Sequence, residues 1–280
     1  MQSGRSTNLW IFNARQHEGA RLRLFCFPSA GGGASMYVPW INAFAPDIEV
    51  YPVQLPGRES RMKEPPCSQF DELIQELCEA LLPYFSASNS VGTRFIASEG
   101  TSHDESGSYS ASSKPFAFFG HSMGALISFG LTHLLLKRGY PLPAHLLLSA
   151  YRAPQIPNPE SLHTLPDEPL VRKMIELNGT QRGVLEDPEL RQLILPLMRA
   201  DFSICETYHH TASEPLAIPI TAFGGLEDTR AGRDVLAAWR EQTSKQFHLH
   251  LLPGGHFYFR TTPQPLWQLV KQELQPLLKL

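Results

Sequence analysis

Along the chain, short apolar runs alternate with longer stretches in which apolar residues recur every three or four positions. Leu22 to Phe27, Ile48 to Val53, Phe116 to Phe119, Leu146 to Ala150, Ile218 to Gly224 and Gln246 to Leu252 read as strands. Leu9 to Phe12 reads as a further strand at a sheet edge. Between them, Met36 to Phe44, Phe70 to Phe85, Leu126 to Leu136, Arg233 to Thr243 and Pro263 to Leu278 carry helical spacing. Leu73, Ile74, Leu77, Leu81 and Leu82 form the apolar face of the second helix, and Ser68 to Asp71 resembles a capping box before it. Strands that alternate with helices from end to end call for a mainly parallel sheet covered on both faces. The fold class is therefore α/β, in one domain over residues 1–280.

Two stretches depart from this alternation. From Ser86 to Ser113, ten of 28 residues are serine, and few are large and apolar. Such a segment cannot bury enough surface to offset the entropy of ordering it, so it reads as a mobile surface insertion. Residues 153–216 contain no strand pattern. Leu170, Met174, Ile175 and Leu177, then Leu190, Leu193, Ile194, Leu197 and Met198, mark amphipathic helices. A helical excursion between two strands, at the edge where loops gather, is expected to form a lid over a site.

The chemistry centres on Gly120-His121-Ser122-Met123-Gly124, between the Phe116 strand and the Leu126 helix. A serine between two glycines at a strand-to-helix joint is the nucleophile elbow of α/β-hydrolases. The turn strains the serine backbone and aims Oγ outward. Side chains at positions 120 and 124 would collide with neighbouring backbone, so glycine occupies both. The helix N-terminus above the serine favours developing negative charge.

In that fold the partners follow in the order Ser, acid, His. His256 is the expected base, on a loop after the last strand with Gly254 and Gly255 before it. Asp228, just past the Ile218 strand, is the expected acid; Glu227 and Asp234 are its rivals. The Pro28 to Ser35 loop, rich in glycine, lacks the Gly-Lys-Ser/Thr of a phosphate loop. Its expected task is to supply the Ala30 N–H to an oxyanion, beside the Met123 N–H. His248 and His250 share a strand face without a third ligand nearby in sequence, so they read as structural.

Composition narrows the reading further. The chain has 280 residues, 42% hydrophobic and 18% charged, with a formal charge of -3. That balance suggests no nucleic-acid partner. Cys26, Cys67, Cys78 and Cys205 lie far apart and show no zinc spacing. No apolar leader or spanning segment is visible, so a cytoplasmic, monomeric protein away from membranes is expected, with no cofactor or metal.

Taken together, several motifs resemble those of type II thioesterases, which work beside nonribosomal peptide and polyketide synthases. They are Phe27 to Gly32, Leu55-Pro56-Gly57-Arg58-Glu59, Gly120 to Ala125, Arg199-Ala200-Asp201-Phe202, Gly224 to Asp228 and Gly254 to Phe257. The resemblance implies hydrolysis of acyl thioesters on the phosphopantetheine arm of a carrier protein. It implies Ser122, Asp228 and His256 as the triad, under a helical lid. The same family includes enzymes that release medium-chain fatty acids from fatty acid synthase. The Ser-rich insertion is the one departure. Arg58, Arg61, Arg172 and Lys173 are candidate contacts for an acidic carrier protein.

Overall fold

The computed structural model describes residues 8–14, 17–86, 114–177, 179–180 and 182–279. The expected Ser-rich insertion falls almost wholly outside them.

Six strands form one all-parallel sheet. They are β1 (Leu22–Phe27), β2 (Ile48–Pro52), β3 (Phe116–His121), β4 (Leu146–Ser149), β5 (Ile220–Gly225) and β6 (Phe247–Leu252). Their order across the sheet is β2-β1-β3-β4-β5-β6. The chain therefore moves outward in both directions from β1 and β3, and the loops after those strands meet at the sheet's C-terminal edge. The four-residue run Phe116 to Phe119 lies on the central strand because a strand covered on both faces has no polar side. Phe118 packs on Phe25, Phe27 and Phe85, whereas Phe119 packs on Tyr37 and Trp40, so adjacent residues fill opposite layers.

One layer contains α1 (Val38–Phe44) and α8 (Gln264–Leu274), where Trp40 meets Trp267 edge to face. The other contains α2 (Phe70–Ser86) and α3 (Met123–Lys137). In α3, ten of its residues from Met123 to Leu135 are buried, which explains its nearly uniform apolar character. The short α7 (Arg233–Ala237) packs against β5.

The expected edge strand at Leu9 to Phe12 is corrected. Only Ile11 pairs, through one antiparallel bridge to Val53. Neighbouring backbone bonds join Phe12 N–H to Pro52 and Gln54 N–H to the Trp10 carbonyl. A turn at Leu9 and Trp10 precedes the bridge and a bend at Asn13 follows it.

Between β4 and β5 lie α4 (Asp167–Leu177), α5 (Arg182–Glu186) and α6 (Pro188–Glu206). Asp187 caps α6 by accepting from the Glu189 and Leu190 N–H groups, and Pro188 follows at the first helical position. These helices bury a small core of their own: Leu162, Leu170, Val171, Met174, Leu185, Leu195, Met198 and Phe202. Ala30 packs against both this core and the main one.

Candidate active site

Ser122 sits between β3 and α3 with φ 54° and ψ -120°, a conformation unfavourable for any residue with a side chain. Close packing enforces it. A Cβ on Gly120 would lie 2.1 Å from the Gly124 carbonyl oxygen, and one on Gly124 would lie 2.1 Å from that of Phe27. Neither contact is tolerable, so both glycines are required by the crossing of the turn over β1.

Ser122, His256 and Asp228 converge although they are far apart in sequence. His256 Nε2 lies 3.0 Å from Ser122 Oγ, and its Nδ1 lies 2.8 Å from Asp228 Oδ2. The other carboxylate oxygen of Asp228 accepts from the N–H groups of Arg230 and Ala231, at 2.9 and 3.2 Å. Burial raises the Asp228 pKa, but the His256 hydrogen bond and charge, with those two N–H groups, outweigh it and hold the carboxyl below its ordinary value. The rivals Glu227 and Asp234 are exposed and take no part.

The histidine loop is fastened to the acid loop. Glu227 N–H donates to Gly254, and Leu226 N–H to Leu252. A Cβ on Gly225 would meet the Gly255 carbonyl oxygen at 2.2 Å, so this approach also depends on glycine.

A second polar chain, not anticipated from the sequence, backs His256. The fully buried His121 pairs with Ser149 Oγ at 2.9 Å, and that hydroxyl pairs with Tyr258 Oη at 2.7 Å. The His121 and His256 rings lie 5.3 Å apart. Burial, then the His256 charge, pushes the His121 pKa well down. A neutral His121 does not compete with His256 for protons.

Ala30 stands opposite Ser122 across two small cavities. The first has Arg152, Asn158, Glu160, Glu206 and Arg230 in its wall beside apolar residues. The second is mainly apolar, with Met174, Leu177, Met198, Phe202 and Phe257. Residues of α4 and α6 thus wall the space around the serine. Among the described residues, neither the Ala30 nor the Met123 N–H has a hydrogen-bond acceptor.

His248 and His250 both meet Glu273 on α8, at 2.8 and 2.7 Å, which accounts for them structurally. Arg58 and Arg61 are corrected as surface contacts. Arg58 is 5% exposed and paired with Asp201, and Arg61 is 7% exposed and paired with Glu64. Charged side chains read as solvated by default, and nothing local announced Asp201 as a partner.

A parallel sheet with helices on both faces and a strained serine at a strand-to-helix turn defines the α/β-hydrolase fold. The thioesterase domain model matches residues 22–87 and 106–271. The chain belongs to that family and is a thioester hydrolase. It is 38% identical over 269 residues to the gramicidin S biosynthesis protein GrsT of Aneurinibacillus migulanus, covering 96% of this chain and 94% of GrsT. The solved structure of BorB, a type II thioesterase from the borrelidin biosynthetic cluster, superposes with a TM-score of 0.77. That match has 32% identity and covers 95% of this chain and 98% of BorB. YbtT, a type II thioesterase from the yersiniabactin NRPS/PKS biosynthetic pathway, gives 0.76 with 25% identity over 94% and 97% of the two chains. Among the described residues, no helix is long and apolar enough to cross a membrane.

Proposed function

We propose that this enzyme hydrolyses acyl thioesters carried on the phosphopantetheine arm of a synthase carrier protein, with Ser122, His256 and Asp228 as its triad. The unbroken line from Ser122 Oγ through His256 to Asp228 carries this reading.

His256 Nε2 takes the Ser122 proton as Oγ attacks the thioester carbonyl. Asp228 holds the tautomer with Nδ1 protonated and stabilises the imidazolium. The N–H groups of Met123 and Ala30 receive the oxyanion, each worth about 3 kcal/mol of transition-state stabilisation. The intermediate collapses, the C–S bond breaks, and His256 returns the proton to the departing thiolate. Water, deprotonated by His256, then releases the acid from the acyl-serine by the same route.

The substrate class is supported by the relatives: GrsT belongs to gramicidin S biosynthesis, BorB to the borrelidin biosynthetic cluster and YbtT to the yersiniabactin NRPS/PKS pathway. The helices α4 to α6 act as the lid, and the apolar cavity beneath them takes the acyl chain. Exposed Arg172, on α4, remains a candidate contact for an acidic carrier protein.

The test is Ser122→Ala, assayed on acylated carrier protein by intact mass. Release of free acid is expected to fall by roughly 10⁴-fold or more. Unchanged release would remove Ser122 as nucleophile. Comparing wild-type rates on acyl carrier protein, acyl-CoA and a nitrophenyl ester tests the substrate class: a preference for the nitrophenyl ester would make the protein a small-molecule esterase instead.

A further inference from the structure

Asp201 is fully buried on α6, with no exposed surface at all. Its carboxylate takes two hydrogen bonds from Arg58, at 2.7 and 2.9 Å. It also accepts the Gly31 N–H at 2.7 Å. Arg58 in turn donates to the Gly32 carbonyl at 3.0 Å and to that of Pro56 at 3.2 Å. An ion pair from two distant segments therefore holds the Gly31 N–H and the Gly32 carbonyl of the glycine-rich turn.

That turn has a defined form. Gly32 N–H donates to the Ser29 carbonyl at 2.9 Å, and Gly31 has φ +67°. A positive φ at the third position of a four-residue turn makes it type II, with Ala30 at the second. In such a turn the peptide between the two central residues can rotate to the type I orientation, which reverses its N–H. The Gly31 N–H is the one that Asp201 holds. That rotation turns the Ala30 carbonyl with it; the Ala30 N–H lies on the preceding peptide and has no acceptor among the described residues, so its aim depends on the turn being held in one form.

Stability alone does not account for the pair. Two charges taken out of water lose hydration that their attraction only partly restores, and an apolar pair of similar volume is often as stable. The charges do supply a directed acceptor for Gly31 and a directed donor for Gly32, which an apolar pair lacks. Asp201 also lies on the helix whose Met198 and Phe202 wall the apolar cavity. Met198 touches the turn as well, since a Cβ on Gly31 would lie 2.5 Å from its sulfur.

We propose that the buried Arg58–Asp201 pair is a positioning device for the oxyanion site: it fixes the Ala30 N–H through Gly31 and Gly32, and does so from the helix that walls the acyl cavity. This rests on Ala30 being an oxyanion donor. Arg58 and Asp201 touch no reacting atom. They act through the turn, so their loss weakens binding of the transition state and leaves ground-state binding nearly intact.

The test compares three variants on a short acyl thioester of N-acetylcysteamine, with kcat expressed per active site titrated by a fluorophosphonate. Ala30→Pro removes the donor, and proline suits the second position of a type II turn. Its kcat is expected to fall roughly 100- to 1,000-fold. Asp201→Asn removes the charge and part of the grip, and its kcat is expected to fall roughly 10- to 100-fold with KM within about threefold. Arg58→Met/Asp201→Leu replaces the pair by apolar side chains and is expected to melt near the wild type, yet to lose as much kcat. In each, the inhibition constant for a trifluoromethyl ketone, whose hemiketal oxyanion needs the same donors, should rise in step with the loss of kcat. Adding Asp201→Asn to Ala30→Pro should cost little more, because both act on one donor.

If Ala30→Pro lowers kcat while the two ion-pair variants stay within threefold of the wild type, the positioning role is wrong. Full additivity of the two substitutions overturns it too. If Ala30→Pro itself keeps kcat, the donor assignment beneath it fails instead.

Discussion

Around the sheet, Gly120, Gly124 and Gly225 each bring backbone so close that an added Cβ would lie within 2.2 Å of a carbonyl oxygen. In the helical layer, Gly183 on α5 has nothing within 4 Å of an added Cβ. The same residue type serves opposite conditions in the sheet and in the helical layer beside it. The sheet side carries Ser122, His256 and Asp228 on turns beside a core that runs through β1 to β5, with β6 packed against it. The helical side carries Met174, Met198 and Phe202 within a separate cluster of eight buried apolar residues. Chemistry that needs fixed distances has settled on the part that cannot yield. Under the proposed function, contact with the acyl chain falls to the helical wall, through methionines whose side chains are flexible.

The largest effect that probes this contrast is Gly124→Ala. Its new methyl would meet the Phe27 carbonyl at 2.1 Å, with backbone on both sides. A cost of about 3 kcal/mol is expected, together with loss of most activity, because the elbow itself must shift. Thermal melting and turnover on the same sample measure both. A variant with normal melting and normal turnover would show that the turn is not tightly fixed.

Next in size is Met174→Trp, which narrows the apolar cavity from α4. Met174 is 1% exposed and shares that cavity with Ser122. The ratio of kcat/KM for octanoyl over acetyl thioesters should fall roughly tenfold or more, with the acetyl rate little changed. An equal loss on both substrates would place the helical wall among the fixed parts and erase the contrast. Gly183→Ala should do the reverse of Gly124→Ala. In an open helical position it is expected to stabilise by about 1 kcal/mol, seen as a small rise in melting temperature with turnover unchanged.

The legibility of the sequence divides along the same line. Strand positions were readable because buried parallel strands are unbroken apolar runs, as in Leu146-Leu147-Leu148. The position of His256 was suggested by Gly254 and Gly255, although the close crossing demands Gly225, and of the two only Gly254, with φ +112°, has a backbone that calls for glycine. Leu9 to Phe12 misled because apolar residues fit a strand pattern whether or not a neighbour pairs beyond Ile11. Arg58 misled for a different reason. Its burial depends on Asp201, 143 residues further along, and no local pattern encodes that distance. The His121–Ser149–Tyr258 chain was hidden likewise, each hydroxyl being unremarked until packing joined them.

The smallest expected effect lies away from the reaction, at the outer edge of the sheet. Glu273 on α8 accepts from His248, His250 and Thr221. Burial raises its pKa, but those hydrogen bonds and the His248 charge outweigh burial and hold it below its ordinary value. A carboxyl depressed in the folded state contributes stability above its unfolded pKa, and that contribution fades as pH falls through the folded value. The window therefore lies below about pH 4.5. Glu273→Gln should lower the melting temperature by a few degrees at pH 6 and by the same amount down to about pH 4.5, then by less with each step below that, until the two proteins converge in acid. Turnover on a short acyl thioester at pH 7 should stay near the wild type, since β6 carries His256 only through the loop beyond it. A melting gap that held constant down to pH 3 would mean that the cluster stabilises by packing alone. A large loss of turnover would mean that the sheet edge and the reaction centre are coupled more tightly than the glycine-pinned loops suggest.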